Sequence, residues 1–242
     1  MKKIKDWLIK TFFPPDYKCV ICDREIFDNP KYCICPECEI EFNDQNFCQK
    51  CGTVIESMSV FCQDCKNYKP HYLFARSVLI YEGNAQKLIQ GFKYGNKKYL
   101  YEPLGRMMSD YFGNLGWDVD LVAPAPMSQE RLKERGYNQS KLLAQVICQN
   151  HNLKIQDDLL HKIKHTPYQA RLTRQERFEQ VKNNFCVLEN ADIKNKSILL
   201  VDDVMTTGAT VDELARILLK RKARQVYVLV LAQPRKKIRG LY

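Results

Sequence analysis

Four Cys-x2-Cys pairs follow one another early in this chain: Cys19 and Cys22, Cys35 and Cys38, Cys48 and Cys51, Cys62 and Cys65. Twelve residues separate the first two pairs and ten the last two, so one pattern occurs twice in succession. A Cys-x2-Cys turn offers two sulfurs from one tight bend, and two such turns about a dozen residues apart close a tetrahedron around Zn2+. Disulfides are the competing use of these thiols, and they need an oxidising compartment. Four thiolates leave no coordination position for water, so each of two zinc ions is expected to be structural, in a segment too short to fold without that staple. Pairing first with second and third with fourth gives two stacked zinc ribbons; pairing first with third and second with fourth gives a cross-brace. Spacing mildly favours the ribbons. Cys33 falls outside the Cys-x2-Cys frame and reads as a bystander.

Charge divides the chain at the end of this array. Residues 1–70 carry 10 Lys+Arg against 11 Asp+Glu, whereas residues 71–242 carry 28 against 17 and so hold the whole excess of a chain of net charge +10. Such a balance favours an anionic partner: nucleic acid, a phosphate ester or a membrane surface. With 45% hydrophobic and 27% charged residues, disordered, collagen-like and mucin-like classes are excluded. The opening MKKIKDWLIKTFFPPDY sets lysines within its apolar stretch and breaks at Pro14 and Pro15, unlike a signal peptide or membrane span, which implies a reducing, cytoplasmic setting for the cysteines. Three segments are therefore expected: an amino-terminal helix or extension over 1–18, a double zinc-ribbon module over 19–70, and a larger domain over 71–242. In the first, Ile4, Trp7, Leu8 and Phe12 share one side of a short helix that packs on its own protein.

From Ser77 onward, short apolar runs alternate with amphipathic segments. SVLIY, DLVAPAP, SILLVDD and VYVLVLA read as strands; AQKLIQGFKY, EPLGRMMSDYF, QSKLLAQVICQ and TVDELARILLKR read as helices. That alternation predicts an α/β fold, a mainly parallel twisted sheet with helices on both faces. Cys148, on the apolar side of a helix, and Cys186, in a strand, read as core residues. Ligands of such sheets sit beyond the carboxyl ends of the strands. There the run Ile198–Val201 delivers Asp202 and Asp203, adjacent carboxylates that repel unless hydroxyls, a metal ion or a cation meets them. Thr206, Thr207, Gly208, Ala209 and Thr210 follow, small and hydroxyl-bearing, where a helix begins; its free N–H groups and dipole suit an anion. Together the two features describe a site for a phosphorylated ribose. An acidic turn with threonine caps is the bland alternative.

The stretch Ile198–Thr210 resembles the PRPP-binding motif of type I phosphoribosyltransferases. The resemblance implies that Asp202 and Asp203 meet the ribose hydroxyls, that Thr206–Thr210 hold the 5-phosphate, and that Mg2+ accompanies the sugar pyrophosphate. Hypoxanthine-type enzymes carry Asp where this chain has Thr206, and threonine is no general base near neutral pH without an activating partner, so that purine class is disfavoured.

Upstream, Pro124 and Pro126 stiffen a strand exit, and Arg131, Lys133 and Arg135 bring cations toward the sheet end where pyrophosphate would sit; Gly136-Tyr137-Asn138-Gln139 then leads into a helix. Arg131 and Arg135 are the candidate catalytic residues. With the cysteine array and the Asp-Asp loop, this P-x-P…R-x-x-x-R-G-Y-N-Q segment is similar to the ComF (ComFC) family, and Phe92-Lys93-Tyr94 and Gln169-x2-Leu172, followed by Arg177 and Phe185, extend the match from about Cys19 to Ala232. Gln180 stands where relatives commonly have Asn. The resemblance implies a type I phosphoribosyltransferase-like domain in a bacterial, cytoplasmic competence protein that handles incoming single-stranded DNA with an ATPase/helicase partner. It leaves open a true Mg-dependent phosphoribosyltransferase acting on an unidentified nucleobase-like acceptor, and it leaves open a dimer. Lys162, Lys164, Arg171, Arg174 and Arg177, interleaved with Tyr168 and Phe178, read equally as a single-strand path and as the loop closing over PRPP. The tail cations Arg235, Lys236, Lys237 and Arg239 are either a DNA-binding arm or solvated.

Overall fold

A computed structural model describes residues 18–27, 31–44, 46–55, 59–163 and 174–235, with the side chains of 174 and 175 left aside. The expected amino-terminal helix, Lys164, Tyr168, Arg171 and the tail beyond Arg235 lie outside them. Four apolar runs form one parallel sheet: β1 (Phe74–Ile80), β2 (Leu121–Pro124), β5 (Ser197–Val204) and β6 (Gln225–Gln233), in the order β1-β6-β5-β2. Ile198, Leu199, Leu200 and Val201 are all fully buried, as continuous aliphatic strands must be when both faces are covered. Each such side chain contributes about 1.5–3 kcal/mol on leaving water.

Strand alternation sorts the core into two clusters. Val122, Leu199, Val201, Leu229 and Leu231 face α2 (Gly83–Tyr94), α3 (Tyr101–Gly113) and α5 (Gln139–His151). Ile198, Leu200, Val226, Val228 and Val230 face α7 (Ala209–Lys220), and on this side also lie Cys48, Cys51 and Cys62 and a short antiparallel pair, β3 (Leu160–Lys162) with β4 (Phe185–Val187). Helix α6 (Arg174–Val181) packs outside α7. The fold is thus the expected parallel sheet with helices on both faces. Cys148 is buried, where desolvation lifts its thiol to about 11. Cys186 is a correction: it is exposed, because β4 is a surface strand whose outer neighbours Phe185 and Val187 take the inward positions. Among the described residues no helix is long and apolar enough to cross a membrane.

The cysteine module is built onto the free edge of β1. The Asn43 N–H donates to the Val78 carbonyl (2.8 Å), the Ile80 N–H to the Glu41 carbonyl (3.0 Å) and the Ala75 N–H to the Lys50 carbonyl (2.9 Å). Asn43, 2% exposed, also donates through Nδ2 to the Gly52 carbonyl and to Ser77 Oγ. Gly52 has φ +71°, and a Cβ there would stand 2.7 Å from the Ala75 carbonyl oxygen, so glycine is what lets the module touch β1. An edge strand with unpaired N–H and C=O groups invites aggregation; here residues 41–43 and 50–52 cover it.

Candidate functional site

At the carboxyl end of β5 the two carboxylates meet a lysine from another helix. Lys93, in the last turn of α2, places Nζ 2.8 Å from Asp203 Oδ1. Asp202 Oδ1 accepts from Ser140 Oγ (2.8 Å), in the first turn of α5, and from the Asp203 N–H (2.8 Å). The Val204 N–H donates to Asp203 Oδ1 (2.6 Å). These bonds all fall on Oδ1, so among the described residues each carboxylate keeps Oδ2 for a ligand. Burial opposes the Lys93 ammonium, but Asp203 and then Asp202 outweigh it and hold its pKa above the ordinary lysine value. Burial first, and the Asp203 charge second, push the Asp202 carboxyl up to about 7 against the help of Ser140.

A raised carboxyl pKa has a definite sign in stability. Protonated Asp202 suits its half-buried position beside Asp203; the stability this adds is full below about pH 4, falls as pH rises and is gone above about pH 7. Asp202→Asn keeps an acceptor for Ser140 and removes the charge. The variant is therefore expected to be more stable than the parent at pH 8, by up to about 4 kcal/mol, and to match it near pH 4, as thermal melts at the two pH values would show. A variant less stable at pH 8 would mean that the ionised form is the favoured one.

Beyond β5 the chain turns through Met205–Gly208 into α7. Gly208, at φ +80°, is the N-cap, and no side chain caps this helix start; by contrast Ser128 caps α4 (Gln129–Arg135) and Asn138 caps α5. Thr207 Oγ1 accepts from the Ala209 N–H at 3.5 Å, Thr206 is exposed and Thr210 half-buried. The turn thus offers helix N–H groups and hydroxyls beside the carboxylates, an arrangement suited to a phosphate attached to a polyol.

Arg135, the last residue of α4, stacks on Tyr94 (4.6 Å from the ring centroid) and donates from Nη1 to Gln139 Oε1 (3.2 Å). Phe92 stacks on Tyr137 at 5.6 Å, and Tyr137 Oη donates to the Phe92 carbonyl (2.6 Å). The Phe92-Lys93-Tyr94 and Arg135-Gly-Tyr-Asn-Gln139 segments are therefore one constellation, and through Ser140 and Lys93 both reach the carboxylate pair. Arg135 Nε and Gln139 Nε2 are buried donors with no acceptor among the described residues. Arg131 lies near Lys162, whose pKa burial and then the Arg131 charge depress. Of the nucleic-acid candidates, Lys162 is half-buried over the Phe185 ring and Arg177 lies on α6, while Arg174 is placed by its backbone alone. Lys93 is the site residue the sequence reading left without a role; its company with Phe92 and Tyr94 was visible, its partner 110 residues away was not.

The cysteines form two groups, Cys19 with Cys22, Cys35 and Cys38, and Cys48 with Cys51, Cys62 and Cys65, each with its sulfurs within 4.8 Å of one another. That is the sequential pairing. The Cys22 and Cys35 sulfurs of the first group, and those of Cys51 and Cys62 in the second, stand 3.6 Å apart, far from a disulfide and close to the about 3.8 Å edge of a tetrahedron with Zn–S near 2.3 Å. The Cys35 N–H donates to Cys19 Sγ (3.4 Å); although burial works against ionisation, this and other N–H donors bring the Cys19 thiol down to about 6, as a metal ligand requires. Both groups fit structural zinc. Cys33 belongs to neither. A cavity of about 510 Å3 lies on the far flank of α7, walled by Tyr68, Phe178 and Arg216; of the phosphate turn only Ala209 reaches it.

Comparison with known proteins agrees with this geometry. The phosphoribosyl transferase domain model matches residues 141–240. Competence protein F of Haemophilus influenzae is 26% identical over 226 residues, 90% of this chain and 97% of that protein. ComFC of Bacillus subtilis is 26% identical over 228 residues, 84% and 89% of the two. DNA utilization protein YhgH of Escherichia coli is 26% identical over 190 residues, 76% and 83%. Among solved structures, an allosteric regulatory enzyme of purine biosynthesis is 15% identical with a TM-score of 0.39 over 54% of this chain; the chain spans about a quarter (26%) of that one, a likeness too slight to carry weight. The chain is thus similar over most of its length to proteins named for competence and DNA utilization, and its residues 141–240 match the phosphoribosyl transferase domain.

Proposed function

We propose that the chain binds PRPP or a related ribose phosphate at the Asp202–Thr210 turn and serves, in the cytoplasm, the handling of incoming single-stranded DNA during natural transformation, with an ATPase/helicase partner. The observation that carries the reading is the meeting of Asp202 and Asp203, both with Oδ2 open, and an uncapped helix start six residues on. The carboxylates accept the ribose 2- and 3-hydroxyls and the turn takes the 5-phosphate. Mg2+ would enter with the pyrophosphate and neutralise it; the hard carboxylate oxygens beside it fit that ion. The names of the relatives, a competence protein and a DNA utilization protein, support the cellular role. The positive excess of residues 71–242 supports contact with a polyanion.

Calorimetric titration of the zinc-loaded protein with PRPP, with and without Mg2+, and then with a short single strand over a salt series tests both halves. Binding of PRPP that is lost in Asp202→Ala/Asp203→Ala, and strand binding that weakens steeply with salt, are expected. Heat absent in both titrations would remove the reading. A second reading, transfer of the ribosyl group to a nucleobase-like acceptor, is favoured by one feature: Arg135 sits beside the carboxylate constellation with an unpartnered Nε, a donor for a departing pyrophosphate. Pyrophosphate release from PRPP across an acceptor panel decides it.

A further inference from the structure

We infer that the second cysteine group and the phosphate turn are linked through Asp212, so that a ligand on the turn tightens zinc at Cys48, Cys51, Cys62 and Cys65, and zinc there strengthens the ligand. The inference rests on the ribose-phosphate reading above and goes on to its regulation.

The linkage is built from a short stretch of chain. Helix α1 (Gln63–Asn67) begins directly after Cys62 and includes Cys65. Immediately after it, Tyr68 Oη donates to Asp212 Oδ2 (2.6 Å) and the His71 N–H to Asp212 Oδ1 (2.6 Å), with His71 Nδ1 3.1 Å from Oδ2. Asp212 is 3% exposed and lies in the first turn of α7, where its own N–H donates to the Gly208 carbonyl (2.9 Å). Tyr72 is buried under the turn, its Oη 3.8 Å from the place a Cβ on Gly208 would occupy. Lys50, the neighbour of Cys51, closes the loop by donating Nζ to the Tyr72 and Leu73 carbonyls.

A buried carboxylate that loses its donors is costly, so Asp212 and the segment 68–73 hold their geometry together or give it up together. Segment 68–73 is anchored on one side by the second cysteine group and on the other by the helix whose start is the phosphate turn. Loss of metal frees the first anchor and loosens the turn; a ligand that fixes the turn steadies the first anchor. By reciprocity the two effects are the same factor. The first group is the internal control: beside it, Lys31 and Tyr32 are tied instead to Asp110 on α3.

Release of zinc from the full chain to a chromogenic chelator, with and without saturating ribose 5-phosphate, reads the linkage. This probe lacks the pyrophosphate that would itself take up zinc. The second-group phase, isolated in Cys22→Ser, is expected to slow about five-fold or more with the probe, and the first-group phase to stay unchanged. Asp212→Asn is expected to keep zinc in both groups, bind the probe more weakly and lose the protection. Tyr68→Phe, which removes one hydroxyl, decides the point if Asp212→Asn does not fold. Calorimetry on the same samples separates the two ideas: probe bound but second-group release unchanged overturns the linkage alone, whereas no binding of ribose 5-phosphate or PRPP overturns the site itself.

Discussion

Cys48→Ser is expected to take down the sheet together with its own ribbon, while Cys22→Ser loosens only the first ribbon. Cys48 is fully buried in one continuous cluster with Ala75 of β1, Val228 and Val230 of β6 and Leu214 of α7. A structural zinc site is worth on the order of 10 kcal/mol, more than most single domains have to spare. The ribbon it holds also covers the edge of β1 through Lys50 and Gly52. Cys22 is exposed, and its group makes a small separate core with Cys19, Ile26 and Cys35. Zinc analysis and thermal unfolding followed by circular dichroism give the answer. Each variant should hold one zinc in place of two; Cys48→Ser should show no cooperative transition, and Cys22→Ser should melt within about 5 °C of the parent. Equal losses in the two variants would mean that both ribbons, or neither, support the sheet.

Lys93→Met should cost about 3–5 kcal/mol, since it leaves buried Asp203 beside half-buried Asp202 with no cation on them among the described residues. In a chain of this size that lowers Tm by about 10 °C at neutral pH. The loss should shrink at pH 5, where Asp202, raised to about 7, is protonated. Adding Asp203→Asn should return most of the stability, because an apolar or neutral replacement of a buried pair is tolerated far better than half of one. A double variant as unstable as Lys93→Met alone would show that the lysine stem, and not its charge, holds the site.

The four sheet strands were legible because each is an apolar run bounded by a turn, and the Asp-Asp loop because its residue types have few other uses together. Spacing favoured the observed sulfur grouping without deciding it against a cross-brace. What escaped reading lacked such periodicity. Leu160–Lys162 is a three-residue strand with an outward polar middle, too short for alternation to register, and around Cys186 the strand was legible but not which way its residues face. Arg174–Val181, RQERFEQV, has hardly any apolar face, so as sequence it looks like a basic loop. Residues 41–43, EFN, pair with β1 through backbone groups, which leave no trace in side-chain pattern. The change of composition near residue 70 likewise hides that the second ribbon shares its core with the sheet.

The sheet order has a consequence for how the molecule is made. β6, residues 225–233, is threaded between β1 and β5 and leaves the ribosome after both of them. Until then the inner edge of β1 and one edge of β5 are open, although the ribbons can already have taken up zinc on the other side of β1. The nascent chain therefore carries zinc ribbons beside aliphatic strands whose edges stay open until β6 arrives, and its yield in a cell should depend on chaperones that shield those edges as well as on the supply of zinc.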